Sequence, residues 1–222
     1  MKIGNAELKW LGHAGFFILF EDKRIYVDPY NIFPQGEADL ILITHSHYDH
    51  CSVQDIEKIA KDGTVVVLPA DAQSKVTRID KKIEMQVVEP GDSLDLSWVK
   101  IEIVPAYNMG KKFHPKSEGW MGYVVKLGNV VIYHAGDTDS IPEMQKLTGY
   151  GKKGNEFIAL LPVGGKETMN PEEAAEAASL LKPTLTVPMH YGSVVGSRGD
   201  AEKFVKLCGD AGVKAQILEK SS

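Results

Sequence analysis

Residues 41–51 read ILITHSHYDHC, an apolar run that breaks off into three histidines and an aspartate. The run DLILI has the unbroken hydrophobicity of a strand buried on both faces, which places it inside a sheet covered on each side. Polar residues straight after such a strand lie at the rim of the sheet, where side chains from several strand ends converge. His45 and His47, two positions apart, can point the same way, and Asp49 and His50 can reach in from the turn that follows. Neutral imidazole and carboxylate are ligands for zinc, and also for iron or manganese. Three of the chain's seven histidines fall within these six positions, which makes an incidental solvated turn a poor account of them.

The rest of the chain repeats the pattern of apolar strand followed by chemistry. AELKWLG, GFFILF and RIYVDP are short β-branched or aromatic runs parted by Gly or by the turn EDK, as in hairpin-connected strands. SVQDIEKIAKDG has helical spacing with a Gly stop, and TVVVLP returns as a buried strand, giving a βαβ-like unit. KIEMQVV and WVKIEIVPAY read as strands with EPGD as the turn between them. Residues 108–119, NMGKKFHPKSEG, lack periodicity and read as a long loop of the kind that carries function. WMGYVVKLGNVVIYHAGDT is a hairpin turned by LGN that ends in His134, Asp137 and Asp139. EFIALLPVGG is a buried strand; Asn170 and Pro171 then open a helix with Glu172 and Glu173 in its first turn, running to Pro183. TLTVPMH is a strand ending in His190, and a last helix near 200–209 and a short strand KAQIL finish the chain. The predicted class is α/β, two mixed β-sheets packed together and flanked by helices, over one domain spanning 1–222.

Bulk properties narrow the function. A chain of 222 residues suits one sizeable domain, and 43% hydrophobic with 25% charged residues is ordinary globular composition. A net charge of −5 argues against general affinity for nucleic acid. No apolar run approaches the roughly 18–20 residues of a membrane span, and MKIGNAELKWLGHAG has no signal-peptide h-region, so a cytoplasmic location is expected. Cys51 and Cys208 are then expected to be reduced, Cys208 as a small buried residue and Cys51 as either core or a thiolate ligand. The expected partner is a small-molecule substrate; the oligomeric state stays open.

His45-x-His47-x-Asp49-His50, AGDT at 135–138 and the late His190, with WLGHAGF and VDPY near the start, resemble the metallo-β-lactamase superfamily over nearly the whole chain. The closer resemblance is to its small single-domain metal-dependent hydrolases, related to ascorbate-6-phosphate lactonase-like and phospholipase D-like members. It implies a four-layer αββα sandwich and two divalent metal ions, zinc first, with manganese or iron as alternatives. By the resemblance, His45 and His47 hold one metal, Asp49, His50 and His190 hold the second, and Asp137 bridges them. The family's third ligand of the first metal is a histidine after the strand that here ends VPAYN, where this sequence has Asn108. His114, in KKFHPK, is the preferred substitute, and Asn108, through its carbonyl oxygen, is the competing candidate. Asp28 and His13 match recurring family positions: Asp28 is expected to accept the other ring proton of a ligand histidine, and His13 to line the pocket. His134 is undecided between site and packing.

Two such metals activate water without a separate base, so the expected activity is hydrolysis of an ester, lactone or phosphodiester-type bond, with Asp49 orienting the hydroxide and accepting its proton. Lys111, Lys112 and Lys116 around His114, and Arg198 in YGSVVGSRG, suggest a cationic rim for a phosphorylated or carboxylated substrate. His13, Lys112, Tyr191 and Ser193 are the candidate substrate contacts, although for any single lysine a solvated surface role is the simpler reading. Two other functions fit the scaffold. One is a mononuclear iron dioxygenase-type redox enzyme; the other, ranked lower for its negative charge and lack of an inserted gripping domain, is a nuclease.

Overall fold

A computed structural model describes residues 1–152 and 154–221. The first sheet contains β1 (Lys2–Ile3), β2 (Ala6–Gly12), β3 (Gly15–Phe20), β4 (Lys23–Val27), β5 (Leu40–Leu42), β6 (Val65–Leu68) and β7 (Glu84–Val87), adjacent in space in that order. Its first four strands pair antiparallel, and β4 to β7 run parallel. The second sheet contains β8 (Ser93–Asp95), β9 (Lys100–Pro105), β10 (Met121–Leu127), β11 (Val130–His134), β12 (Glu156–Pro162) and β13 (Leu185–Met189). Here β8 to β11 are antiparallel and β11 to β13 parallel.

Strand alternation sorts the side chains into layers. Leu40 and Leu42 of β5, Ile25 and Val27 of β4, and Phe16, Ile18 and Phe20 of β3 join the core between the sheets. Their neighbours Ile41, Tyr26 and Phe17 point the other way and pack with Ile56 and Ile59 of α1 (Val53–Ile59) and Val76 of α2 (Gln73–Val76). Helices α3 (Pro171–Leu181) and α4 (Arg198–Asp210) cover the second sheet, and their buried Ala174, Ala178, Leu181, Phe204 and Cys208 belong to the larger core. The result is two mixed sheets with helices outside, as predicted. Parallel strands need crossovers, and α1, α2 and α3 provide three of them.

Local chemistry sets the helix ends. Asn170 and Glu173 form a capping box at α3, with Pro171 in its first turn. At α4 a second box, Ser197 with Asp200, starts the helix at Arg198, earlier than the 200–209 expected, because two reciprocal hydrogen bonds satisfy its first amides.

One expectation is met and one needs correction. EPGD is a turn, with the Asp92 amide donating to the Glu89 carbonyl at 3.1 Å, and it carries the chain from β7 at the edge of the first sheet to β8, a strand the sequence did not announce, at the edge of the second. KAQIL forms no strand. It makes one parallel bridge, Ala215 beside Thr186 of β13, and the tail then crosses to the first sheet, where Lys220 bridges Trp10 of β2 and Ser221 N donates to Trp10 O at 2.9 Å. A segment that splits its hydrogen bonds between two sheets cannot form a ladder with either. Among the described residues, no helix is long and apolar enough to cross a membrane.

Candidate metal centre

The polar strand ends collect at one rim of the sandwich. Residues 43–50 follow β5, Asp137 follows β11, His190 follows β13, Asp28 follows β4, and His13 sits in the two-residue turn between β2 and β3. Open sheets commonly place their sites beyond the carboxyl ends of parallel strands, and four of these five segments obey that rule. Three of the residues, His13, Asp28 and His190, have φ values of +53°, +43° and +60°. A left-handed conformation costs a residue with a Cβ roughly 1–3 kcal/mol, so the surroundings must hold it in place. The carbonyl of His13 does so by accepting from Trp10 Nε1 and from the amide of His190, each at 2.9 Å. Gly136 is required in the AGDT turn: it has φ +65°, and a Cβ there would lie 2.6 Å from the carbonyl oxygen of Met121.

Two groups of donor atoms lie side by side. His45, His47 and His114 form one; Asp49, His50, His190 and His13 form the other, each with ligand atoms within 4.8 Å of one another. Asp137 stands between them. Its Oδ2 is 3.0 Å from His190 Nε2, 3.3 Å from His114 Nε2 and 3.9 Å from His45 Nε2, while its Oδ1 is 3.4 Å from His50 Nε2. His45 Nε2 and His47 Nδ1 are 3.0 Å apart, both facing the centre.

The far sides of the rings are anchored. His50 Nδ1 donates to Asp28 Oδ2 at 2.7 Å. The same oxygen accepts from the Thr44 hydroxyl at 2.6 Å, and Asp28 Oδ1 accepts from the Thr44 amide at 2.8 Å. Because the Thr44 hydroxyl proton points to Asp28, its oxygen is left to accept from His45 Nδ1, 3.0 Å away. One fully buried carboxylate thus orients a histidine in each group. His114 Nδ1 donates toward the carbonyl of Glu167 at 2.9 Å and Asn108 Oδ1 at 3.1 Å. In all three rings Nε2 is then the nitrogen turned toward Asp137.

This donor set fits a cation. Nε2 of His50, His114 and His190 and Oδ1 of Asp137 are buried without a hydrogen-bond partner among the described residues. Leaving a buried polar atom unsatisfied costs about 1–3 kcal/mol, so four together at one point is an expensive arrangement unless a metal receives them.

The electrostatics agree. Burial, reinforced by neighbouring histidines, holds the His45 and His47 rings below the usual imidazole range, hence neutral and able to donate. Burial lowers His13 to about 4, outweighing the hydrogen bond to Asp49 that opposes it. His50 goes the other way, since Asp137 and Asp28 outweigh its burial and raise it well above the ordinary value. Burial pushes Asp49 up, but the hydrogen bond from His13 (Nε2 to Oδ2, 2.9 Å) and the positive potential of His50 bring it down to about 2. Asp137 is likewise buried, yet His190 and His50 keep it well below the carboxylate range.

In the 108–119 loop the two candidates, Asn108 and His114, are placed differently. His114 turns inward and is fully buried, whereas Asn108 points its oxygen at His114 and its Nδ2 at Asp139 Oδ1 (3.2 Å). Asp139 also accepts from Lys111 Nζ at 2.6 Å and from the Met109 amide at 2.8 Å. Lys111 therefore braces the loop and is not part of a cationic rim. Lys116 pairs with Glu143, and Arg198 with Glu219 and Glu202, so neither offers a free charge. Lys112 is exposed and lies outside the polar cavity that His13, Tyr191 and Ser193 line together. His134 is structural: its Nε2 donates to the carbonyl of Ala14 at 2.8 Å. Cys51 is a buried free thiol pushed by burial to about 11, a poor source of thiolate.

Three neighbours went unseen in the sequence. Thr44 is the first, and its position directly before His45 was the available signal. Trp120 is the second, with its ring centroid 4.8–5.4 Å from those of His45, His47 and His114 and its indole N–H on Asp71. The third is Lys220, about which no local pattern gives warning.

Comparison with known proteins points in the same direction. Residues 7–190 match the sequence model of the β-lactamase superfamily domain. A UPF0173 metal-dependent hydrolase of Thermococcus onnurineus (strain NA1) is 39% identical over 223 residues, covering 96% of this chain and 95% of the relative. Among solved structures, a protein of Parabacteroides distasonis superposes with a TM-score of 0.83 at 30% identity, covering 96% of this chain and 93% of that one. Igni18, a metallo hydrolase of Ignicoccus hospitalis, superposes with a TM-score of 0.77 at 26% identity, covering 98% and 96%.

Proposed function

The chain belongs to the UPF0173 metal-dependent hydrolases of the β-lactamase superfamily, and from that premise we propose that it is a binuclear hydrolase of small esters, lactones or phosphodiesters. The observation that carries this reading is the position of Asp137 between two donor groups, within 3.0–3.9 Å of a ring nitrogen of His190, His114, His50 and His45. His45, His47 and His114 would hold one cation and Asp49, His50 and His190 a second, with Asp137 shared. Zinc suits such a mixture of imidazole and carboxylate, with manganese or iron as alternatives. When bound, the pair would supply Lewis acidity and a water of lowered pKa.

The chain's own residues do the rest. Asp49, ionised at neutral pH, accepts the proton of the attacking water, and the N–H of His13 keeps its carboxylate in place. His13 itself is neutral near pH 7, so it donates this hydrogen bond without adding charge to the centre. Asp28, Thr44 and Asn108 fix the rings of His50, His45 and His114, so little reorganisation is needed as the reaction proceeds. Trp120 packs against the rings of His45, His47 and His114. Phe33 and Tyr48, each 61% exposed, Phe113, Met109 and Val194 stand on the loops around the centre, which suits a substrate with an apolar portion beside the scissile bond.

The test is metal content of protein purified without tag or chelator, followed by rates on panels of aryl esters, lactones and bis-aryl phosphodiesters. The expected result is about two equivalents of metal per chain and turnover that disappears in His50→Ala and Asp137→Ala. A single equivalent of iron, with oxygen consumption and no hydrolysis, would overturn the reading in favour of a redox enzyme.

A further inference from the structure

In the donor group formed by His45, His47 and His114, one ring is secured differently from the other two. Asp28 orients His45 through Thr44, and the carbonyl of Glu167 with Asn108 orients His114. Among the described residues no carboxylate or carbonyl accepts a hydrogen bond from the His47 ring, whose one close polar neighbour is His45 Nε2, 3.0 Å from its Nδ1. His47 is also half-buried, whereas His45 and His114 are 1% and 0% exposed. The nitrogen it turns to the centre is Nδ1, the one nearer the main chain, so the position of this donor follows the peptide that precedes it.

One short segment, residues 70–76 after β6, supplies what the ring lacks. The Lys75 ammonium, on α2, donates to the carbonyl of Ser46, the residue between the two histidines. Lys75 is half-buried and, unlike Lys111 and Lys116, has no carboxylate partner among the described residues, so its charge is directed at this one peptide. A hydrogen bond from a charged donor is roughly twice as strong as a neutral one. The neighbouring carbonyls have uncharged donors: Tyr123 Oη serves Ile43 at 2.6 Å, the Met121 amide serves Thr44 at 3.2 Å, and the amides of His50 and Cys51 serve His47 at 3.1 and 2.8 Å. Four positions before Lys75, Asp71 Oδ2 accepts from Trp120 Nε1 at 2.8 Å. The Trp120 ring lies 4.8 Å from that of His47 and 4.9 Å from that of His45, measured between centroids.

We propose that Lys75 and Asp71 are positioning residues for the metal held by His45, His47 and His114. Lys75 sets His47 Nδ1 through the Ser46 peptide, and Asp71 sets the Trp120 surface on which the ring rests. The proposal rests on the reading of these three histidines as one cation site, and it makes the affinity of that site depend on a segment that contributes no ligand. The other group is held elsewhere: His13 bonds Asp49, Asp28 bonds His50, and the His190 amide donates to the carbonyl of His13.

The test is titration of metal-stripped, full-length protein with zinc in competition with a chromogenic chelator. Lys75→Met should weaken one of two equivalents about tenfold or more, as when a group that orients a ligand is lost, and leave the other unchanged as an internal control for folding. Lys75→Arg keeps a cationic donor and should recover most of that loss. Asp71→Ala should weaken the same equivalent about threefold, and Asp71→Asn, which keeps an acceptor for the indole, should weaken it less. Equal weakening of both equivalents, weakening of neither, or a loss that Lys75→Arg does not repair would overturn the proposal. A second measurement needs no metal: in the metal-free protein the ring ¹⁵N resonances of His47 should shift in Lys75→Met while those of His50 and His190 stay, and unmoved His47 signals would also overturn it. Wild type that takes up fewer than two equivalents would defeat the binuclear reading, yet the ring resonances would still decide the role of Lys75, so the two failures are distinguishable.

Discussion

Both halves of the proposed metal centre take two donors from residues 45–50, yet each draws its remaining support from a different kind of structure. The half with Asp49 and His50 is completed by His190 at the end of β13, a strand inside the second sheet. The half with His45 and His47 is completed by His114, which arrives on a long loop braced by Asp139, Lys111 and Asn108. The first is held by core packing, the second by a small polar network. Loops so held are less stable locally than core strands, so the two halves should differ in how readily they lose metal.

The change with the largest expected effect removes what the halves share. Asp28→Ala strands the His50 N–H and the Thr44 hydroxyl in the core and frees a ring in each half, so both metals should bind at least 10–100-fold more weakly. The metal-free variant should also lose about 3–5 kcal/mol of stability in urea titration, the usual cost of breaking a buried charged pair. Retention of full metal content would show that Asp28 does not orient the ligands.

His114→Ala should take one equivalent of metal and leave the other, whereas His190→Ala should take the opposite one. Spectra of cobalt-substituted protein would tell them apart, and loss of both metals in either variant would mean that the halves are not separable. Asp139→Asn should act on the loop-borne half alone, weakening one metal about tenfold while His190 and its partner sites keep theirs, as seen in competition with a chromogenic chelator. Asn108→Ala should have a smaller effect in the same direction, because the carbonyl of Glu167 still accepts from His114.

Acidification separates the ring environments without mutation. The folded pKa of His13 is about 4 against 6.5 in the unfolded chain, so between these values the unfolded chain binds the extra proton and the metal-free protein loses stability as pH falls. His45 and His47, also lowered, act in the same sense. His50 is raised, so its contribution is present at low pH and fades only as pH climbs through its folded value. Chemical denaturation from pH 7 to 4 should therefore show falling stability, with a shallower slope in His13→Gln. A flat wild-type profile would contradict the neutral, buried state of these rings.

Much of this was legible beforehand because it is written in short range. Period-two alternation and the apolar runs identified the strands, and Asn170 and Pro171 announced α3 through their capping chemistry. The cluster at 45–50 was legible because its four side chains leave the same strand end. Less legible was everything that depends on where a segment travels after leaving its strand. The lysines near His114 look alike in sequence, but Lys111 turns inward to Asp139 whereas Lys112 stays exposed. EPGD has the composition of a hairpin turn, and only the placement of β7 and β8 on different sheets shows that it joins two layers.

Local pattern in this chain thus determined its element types, its class of two mixed sheets flanked by helices and the residues able to ligate metal, since burial, periodicity and donor chemistry are properties of near neighbours. Tertiary structure decided that His114 rather than Asn108 faces the centre, that Asp28 reaches His45 through Thr44, and that His13 and Lys220, 207 positions apart, line one cavity. Those outcomes rest on long-range hydrogen bonds and on the space left by Gly12, and such bonds exist only after the sheets have brought their edges together.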